Sequence, residues 1–251
     1  MPRQRAAWHF TLFEVCLIAT FVGVAVWNIT PRRYWTPPQE LEPLEAKYGP
    51  ARDSQFGEEW IIRDFFNDKR GGYFVDVGAS HYKMFSTTYF LEKNLGWSGL
   101  AIDPQGAFEA DYKLHRPRTR FIPFFVADVS NEQAKMYVLD RDPFVTSGTK
   151  AFTQQYGDGA KEVVAPTITL NDLLPKEGVR AIDFMSMDIE LSEPKALAGF
   201  DIDRFRPTLV GIEVHPQVRQ QILDYFTRHK YVVVGKYLRA DENNLYFTPL
   251  P

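Results

Sequence analysis

The sequence predicts an α/β domain with a doubly wound, mostly parallel sheet, closed by a C-terminal antiparallel hairpin and preceded by a transmembrane helix. Three observations carry this reading. Short apolar runs such as YFVDV, GLAIDP and TLVGIEVH alternate with helix-length segments from residue 54 onward, the pattern of parallel strands covered by helices on both faces. Each such run ends in a carboxylate rather than in a turn-forming pair. Residues 10–27, FTLFEVCLIATFVGVAVW, are almost wholly apolar and as a helix would span roughly 27 Å, close to a hydrocarbon core.

The elements follow in order. Residues 1–9 are a flank and 10–29 an anchor, with Trp8 and Trp27 placed for the two interfaces. Glu14 within the span costs on the order of 2–3 kcal/mol at depth. A cleavable signal is the alternative, but no small-x-small site follows the apolar run. Arg3 and Arg5 on one side balance Arg32 and Arg33 on the other, so charge does not orient the span. Residues 30–53 carry Pro31, Pro37, Pro38, Pro43 and Pro50, which predict a semi-extended tether. The folded domain is expected over residues 54–251.

Within it, SQFGEEWIIRDFFND reads as an amphipathic helix and YFVDV as the first strand. Helices are expected over 86–95 and 108–114, strands at GLAIDP and FIPFFVADVS. Residues 131–165 read as irregular, with the aromatic stretch 144–156 as a lid or acceptor loop. Helix LNDLL, strand IDFMSMDIE, a short helix at 194–198, strand TLVGIEVH and helix PQVRQQILDYFTRHK follow. YVVVGKYLR and NNLYFTP close the chain as a hairpin.

Composition excludes some functions. A net charge of −3 gives no general attraction to phosphates, and the basic stretch 113–120 reads as a solvated helix end, so no nucleic-acid partner is expected. The single cysteine, Cys16, lies in the apolar segment. The remainder can form no disulfide and offers no thiolate metal site, which is compatible with a reducing compartment.

In a doubly wound sheet, ligands bind at the carboxyl ends of the strands. Those ends read Asp76-Val77-Gly78-Ala79-Ser80, Asp103-Pro104, Asp128-Val129, Asp188-Ile189-Glu190 and Glu213-Val214-His215. A dinucleotide would need G-x-G-x-x-G, but Ser80 and Lys83 stand where the second and third glycines belong. S-adenosylmethionine has no phosphate, and its ammonium, ribose hydroxyls and adenine amine are donors that suit carboxylates. Asp76 and the Gly78 turn would meet its methionine end, Asp103 its ribose and Asp128 its adenine.

SQFGEE, GGYFVDVGAS, STTYFLEKNLGWSGLAIDP, ITLNDLL and IDFMSMDIELSEPKAL with IEVH resemble the FkbM-type methyltransferase domain, over about residue 54 to the C-terminus. The resemblance implies a Rossmann-like class I fold, S-adenosylmethionine as cofactor, and methylation of a hydroxyl. It implies cofactor contacts at Asp76, Gly78, Ala79, Asp103 and Asp128, with Ser80, Pro104 and Val129 beside them. Gln55 and Glu58 match the family's N-terminal helix pattern and would close the pocket. The chain departs at Leu191 and Ser192, where Gly and a small residue are expected.

A hydroxyl acceptor needs a base near its proton. Asp188, Glu190, Glu213 and His215 are the catalytic candidates, with Glu193 and His81 nearby in sequence. The same four could hold Mg²⁺ or Mn²⁺, but strand-end carboxylates do not require an ion and no metal is assigned. The acceptor is expected to be a glycan, a lipid-linked intermediate or a small metabolite. The anchor favours a membrane-associated acceptor, with the domain facing the cytoplasm, where the cofactor is made. The rival functions are a tethered interaction module without turnover and an NAD-linked oxidoreductase.

Overall fold

The computed structural model describes residues 39–50, 52–139 and 142–251. The predicted anchor at 10–29 lies outside the described residues. Among the described residues, no helix is long and apolar enough to cross a membrane.

The main sheet has seven strands. In chain order its elements are α1 (Glu42–Tyr48), α2 (Glu58–Phe66), β1 (Tyr73–Val77), α3 (Tyr89–Leu95), β2 (Ser98–Ile102), α4 (Glu109–His115) and β3 (Thr119–Ile122). An inserted unit follows, made of β4 (Phe125–Val126), β5 (Gln133–Leu139), β6 (Asp142–Ser147), α5 (Lys150–Thr153) and β7 (Ala160–Ile168). The chain then returns through α6 (Leu170–Lys176), β8 (Phe184–Met187), α7 (Glu193–Ala198), α8 (Ile202–Phe205), β9 (Leu209–Glu213), α9 (Arg219–Arg228), β10 (Tyr231–Val233) and β11 (Asn244–Pro249).

Sheet order is β10-β11-β9-β8-β1-β2-β3. β1, β2, β3, β8 and β9 are parallel, and β11 runs antiparallel between β9 and β10. This is the doubly wound, Rossmann-like sheet expected, with its reversal between β1 and β8. The central strands bury both faces: Val75, Val77, Leu100, Ile102, Met185, Met187, Val210 and Ile212 on one, and Phe74, Ala101, Phe184 and Leu209 on the other, are at most 2% exposed. Each such side chain larger than alanine contributes about 1.5–3 kcal/mol on leaving water, which explains why these strands read as continuous apolar runs.

Three expectations are corrected. Residues within the presumed tether form α1, because Pro43 sits in the first turn, where its missing N–H costs nothing. Leu41 and Leu44 of this region are buried, the former beside Gly57. The stretch read as irregular is instead a second sheet of order β4-β7-β5-β6. β10 and β11 do pair antiparallel, but ten residues separate them, too many for the tight hairpin expected.

Candidate active site

Register builds the site. Val77 lies opposite Ile102 and Met187, and Met187 opposite Ile212. One residue further, Gly78, Asp103, Asp188 and Glu213 therefore form a single row along the carboxyl edge. Above this row is a cavity of ≈ 400 Å³, within the range typical of small-molecule sites. Glu58, Gly78, Ala79, Ser80, Asp103, Pro104, Asp188, Glu190, Glu213 and His215 all line it.

The Gly78 turn sits at the switch between β1 and β8. Gly78 has φ +87°, and a Cβ there would lie 1.8 Å from the Asp188 carbonyl oxygen, so only glycine lets the two strands meet this closely. Ser80 follows at φ +48°. Its backbone N–H donates to Asp103 Oδ2 at 3.1 Å, and Gln105 N–H donates to Asp103 Oδ1 at 2.8 Å. The Gln105 side chain donates to the same carboxyl. Burial pushes the Asp103 pKa up to about 6, against the pull of those two backbone N–H groups.

Asp76 stands behind the cavity wall rather than on it, 5% exposed. Thr88 Oγ1 donates to its Oδ2 at 2.7 Å. Fully buried Arg116 donates in turn to Thr88 Oγ1 at 3.2 Å and to Glu92 Oε2 at 2.6 Å. Burial raises the Asp76 pKa to about 6, which the Thr88 hydrogen bond and the Arg116 charge oppose.

The other half of the cavity is acidic. His215 Nε2 lies 3.2 Å from Glu190 Oε2, in hydrogen-bond geometry, and 3.0 Å from Glu213 Oε2. Glu213 and His215 share a face because they are two residues apart in extended chain. Ligand atoms of the three lie within 4.8 Å of one another, a spacing that a divalent ion could bridge. Burial, reinforced by the crowding of carboxylates, raises the pKa of Glu190 to about 8 and that of Glu213 further. Burial also raises Glu193 to about 7 and, together with the Asp241 charge, Glu58 to about 8. Asp188 is open to the cavity yet crowded by protein, which raises it too. Burial lowers His215, so its imidazole is neutral at neutral pH. The Phe152 ring packs edge-on against His215 at 5.0 Å.

Besides Asp76, two further predicted cofactor residues do not line the cavity. Ile122 pairs with Ile102, so Pro123 occupies the level of Asp103, and the chain then leaves the main sheet for β4. Asp128 and Val129 are exposed and do not line the cavity; Asp128 instead packs near Gly199. His81 is also absent from the wall: its Nδ1 accepts from the Lys83 and Met84 N–H groups, organising the loop.

Sequence reasoning missed several parts of the wall. Asn243, just before β11, and Asn244, its first residue, reach it held by Asp241, whose Oδ1 accepts both of their backbone N–H groups. Phe125 and Thr146 come from the inserted sheet, and Gln105 Nε2 donates to Thr146 Oγ1 at 3.1 Å. The turn after β8 is strained, with Glu190 at φ +53° and Leu191 at φ +75°, a conformation that the glycine of the family pattern at 191 would adopt freely.

Residues 76–233 match the model of the methyltransferase FkbM domain. No curated protein matches the chain. Among solved structures, a TehB-like SAM-dependent methyltransferase from Corynebacterium glutamicum is 15% identical, with 82% of this chain and 92% of that one covered, at a TM-score of 0.44. A SAM-dependent O-methyltransferase from Thermotoga maritima is 10% identical, with 82% and 70% covered, at 0.41. The 1,6-didemethyltoxoflavin-N1-methyltransferase of Burkholderia thailandensis, solved with S-adenosylhomocysteine, is 13% identical, with 97% and 92% covered, at 0.34.

Proposed function

The chain belongs to the methyltransferase FkbM family, and on that premise we propose that it methylates a hydroxyl group of a glycan, a lipid-linked intermediate or a small metabolite. S-adenosylmethionine is the cofactor, and it supplies a methyl group on a sulfonium, a leaving group good enough that alignment carries most of the catalysis. The residues present fit it. The Gly78 turn lines the cavity and leads into it without the further glycines that a pyrophosphate would need. The buried Ser80 Oγ has no partner, and the Asp103 carboxyl lines the same cavity.

In this reading Gly78, Ala79, Ser80, Asp103 and Pro104 hold the cofactor, and Asp76 supports the turn from behind. The observation that carries O-methylation is the trio at the other end of the same cavity. Neutral His215 takes the acceptor proton on the ring nitrogen that the Glu190 contact leaves free, and the imidazolium so formed keeps Nε2 beside the Glu190 and Glu213 oxygens at 3.2 and 3.0 Å. Those two carboxyls stabilise the charge that develops, as an acid beside a catalytic histidine does generally. Tyr156, exposed and lining the cavity, is backed by the buried Phe152 ring, so an acceptor ring has an aromatic surface to lie against.

The anchor at 10–29 would hold this domain at the cytoplasmic face of a membrane, close to a lipid-linked or membrane-delivered acceptor. The test is transfer of labelled methyl from S-adenosylmethionine into extracted glycolipids and soluble glycans. Label recovered as a base-stable methyl ether supports the reading. Label in an amine, or none in the presence of a bound cofactor, counts against it.

A further inference from the structure

The strained turn that carries Glu190 is held from one side by Glu193, whose Oε1 accepts the Ile189 N–H at 3.0 Å. Glu190 and Leu191 both have positive φ, at 53° and 75°, a conformation costing about 1–2 kcal/mol for each non-glycine residue. Such a turn persists only if contacts fix its backbone, and a second contact comes from the inserted sheet. Ser147, at the end of β6 and 1% exposed, donates from Oγ to the Glu190 carbonyl oxygen at 2.7 Å. The same Oγ accepts the Thr149 N–H at 3.0 Å, which occupies it as an acceptor and leaves its single proton for Glu190. Next to it, a Cβ at Gly148 would meet Ser192 Oγ at 3.2 Å, so the end of β6 is pressed against the turn along two successive residues.

We propose that Ser147 is a positioning residue: it clamps the Glu190–Leu191 turn in its left-handed form and thereby aims the Glu190 carboxylate at His215 Nε2. The inserted sheet is then a working part of the site. Thr146, one residue earlier, accepts from Gln105 in the cofactor loop, so adjacent residues of β6 touch the cofactor side and the acceptor side. The proposal deepens the reading above, on which its catalytic meaning rests.

The test reads the Glu190–His215 contact itself and needs no acceptor. The full-length chain, solubilised in mild detergent with its five histidines ¹⁵N-labelled, is compared by NMR as wild type, Glu190→Gln, Ser147→Ala and the double variant, at one pH. Glu190→Gln is expected to move the His215 Nε2 resonance. Ser147→Ala is expected to move it in the same direction, and the double variant to match Glu190→Gln alone, because coupled residues are not additive. Leu191→Gly in the Ser147→Ala background is expected to restore the wild-type resonance, since glycine adopts positive φ without the clamp. A Ser147→Ala spectrum identical to wild type in a protein with an unchanged melting temperature overturns the proposal alone, as does an additive double variant. An unmoved resonance in Glu190→Gln overturns it together with the proton-acceptor reading.

Discussion

His215 Nε2 and Glu190 Oε2 lie 3.2 Å apart, joining the carboxyl ends of the two neighbouring strands β9 and β8 inside one cavity. Neither residue is informative alone: a histidine before a proline can serve as a helix neighbour, and a glutamate in a turn is ordinarily solvated. Their contact gives the acceptor end of the cavity a proton-accepting group. Replacement of His215 by Asn should therefore lower the methyl-transfer rate by about 10²–10⁴-fold. Cofactor affinity measured by calorimetry should stay within a factor of about two, since His215 stands at the far end from the Gly78 turn.

The rate should also depend on pH in a definite direction. Burial lowers the His215 pKa below its ordinary 6.5, and burial raises Asp103 to about 6. Both groups reach their working form as pH rises, His215 neutral and Asp103 ionised. The single-turnover rate should climb through pH 6 and level off above about 6.5. A rate that falls over that interval would reassign the base.

Stability should show the opposite trend over a higher window. Glu58 and Glu190 have folded pKa values near 8 and Glu193 near 7, all raised from 4.5. Groups raised on folding bind more protons in the native state, so their stabilising share is present at low pH and is lost as pH rises through the folded values. The melting temperature of the cofactor-free protein should increase as pH is lowered from 8 to 6.5. Below that, protonation of His215, whose pKa is depressed, opposes the gain.

Gly78→Ala should be damaging. The added methyl group would stand 1.8 Å from the Asp188 carbonyl oxygen at a φ of +87°, and the combined overpacking and backbone strain should cost about 2–5 kcal/mol. Chemical denaturation measures the loss, and calorimetry should show weakened cofactor binding in whatever fraction stays folded.

Arg116 and Glu92 form a buried pair at 2.6 Å, 0% and 2% exposed. Glu92→Gln leaves the guanidinium charge uncompensated and should destabilise the fold by about 3–5 kcal/mol. Because Arg116 also reaches Asp76 through Thr88, a parallel loss of cofactor affinity is expected in the surviving fold.

Much of this site was legible in the sequence because the chemistry falls on one repeated feature. Asp76, Asp103, Asp188 and Glu213 each end an apolar run, and parallel pairing in register brings three of them, with Gly78, to one level. Asp128 ends a similar run, yet Pro123 stops β3 five residues earlier and the chain departs into another sheet; no apolar pattern marks that break. The inserted sheet was missed because β5 and β7, QAKMYVL and AKEVVAPTI, are mostly solvated on one or both faces and alternate weakly. Asn243 and Asn244 carry no signal of their own, and they reach the cavity only because β11 inserts beside β9. α1 was hidden by its prolines, although Pro43 stands at a position where a helix accepts one.

The most direct measurement is calorimetric titration of the full-length chain in detergent with S-adenosylmethionine, S-adenosylhomocysteine and NAD. Micromolar binding of both sulfur ligands, lost in Asp103→Asn and absent for NAD, is the predicted result. A folded protein that binds neither sulfur ligand, or that binds them equally well without the Asp103 carboxylate, would contradict the placement of the cofactor in this cavity.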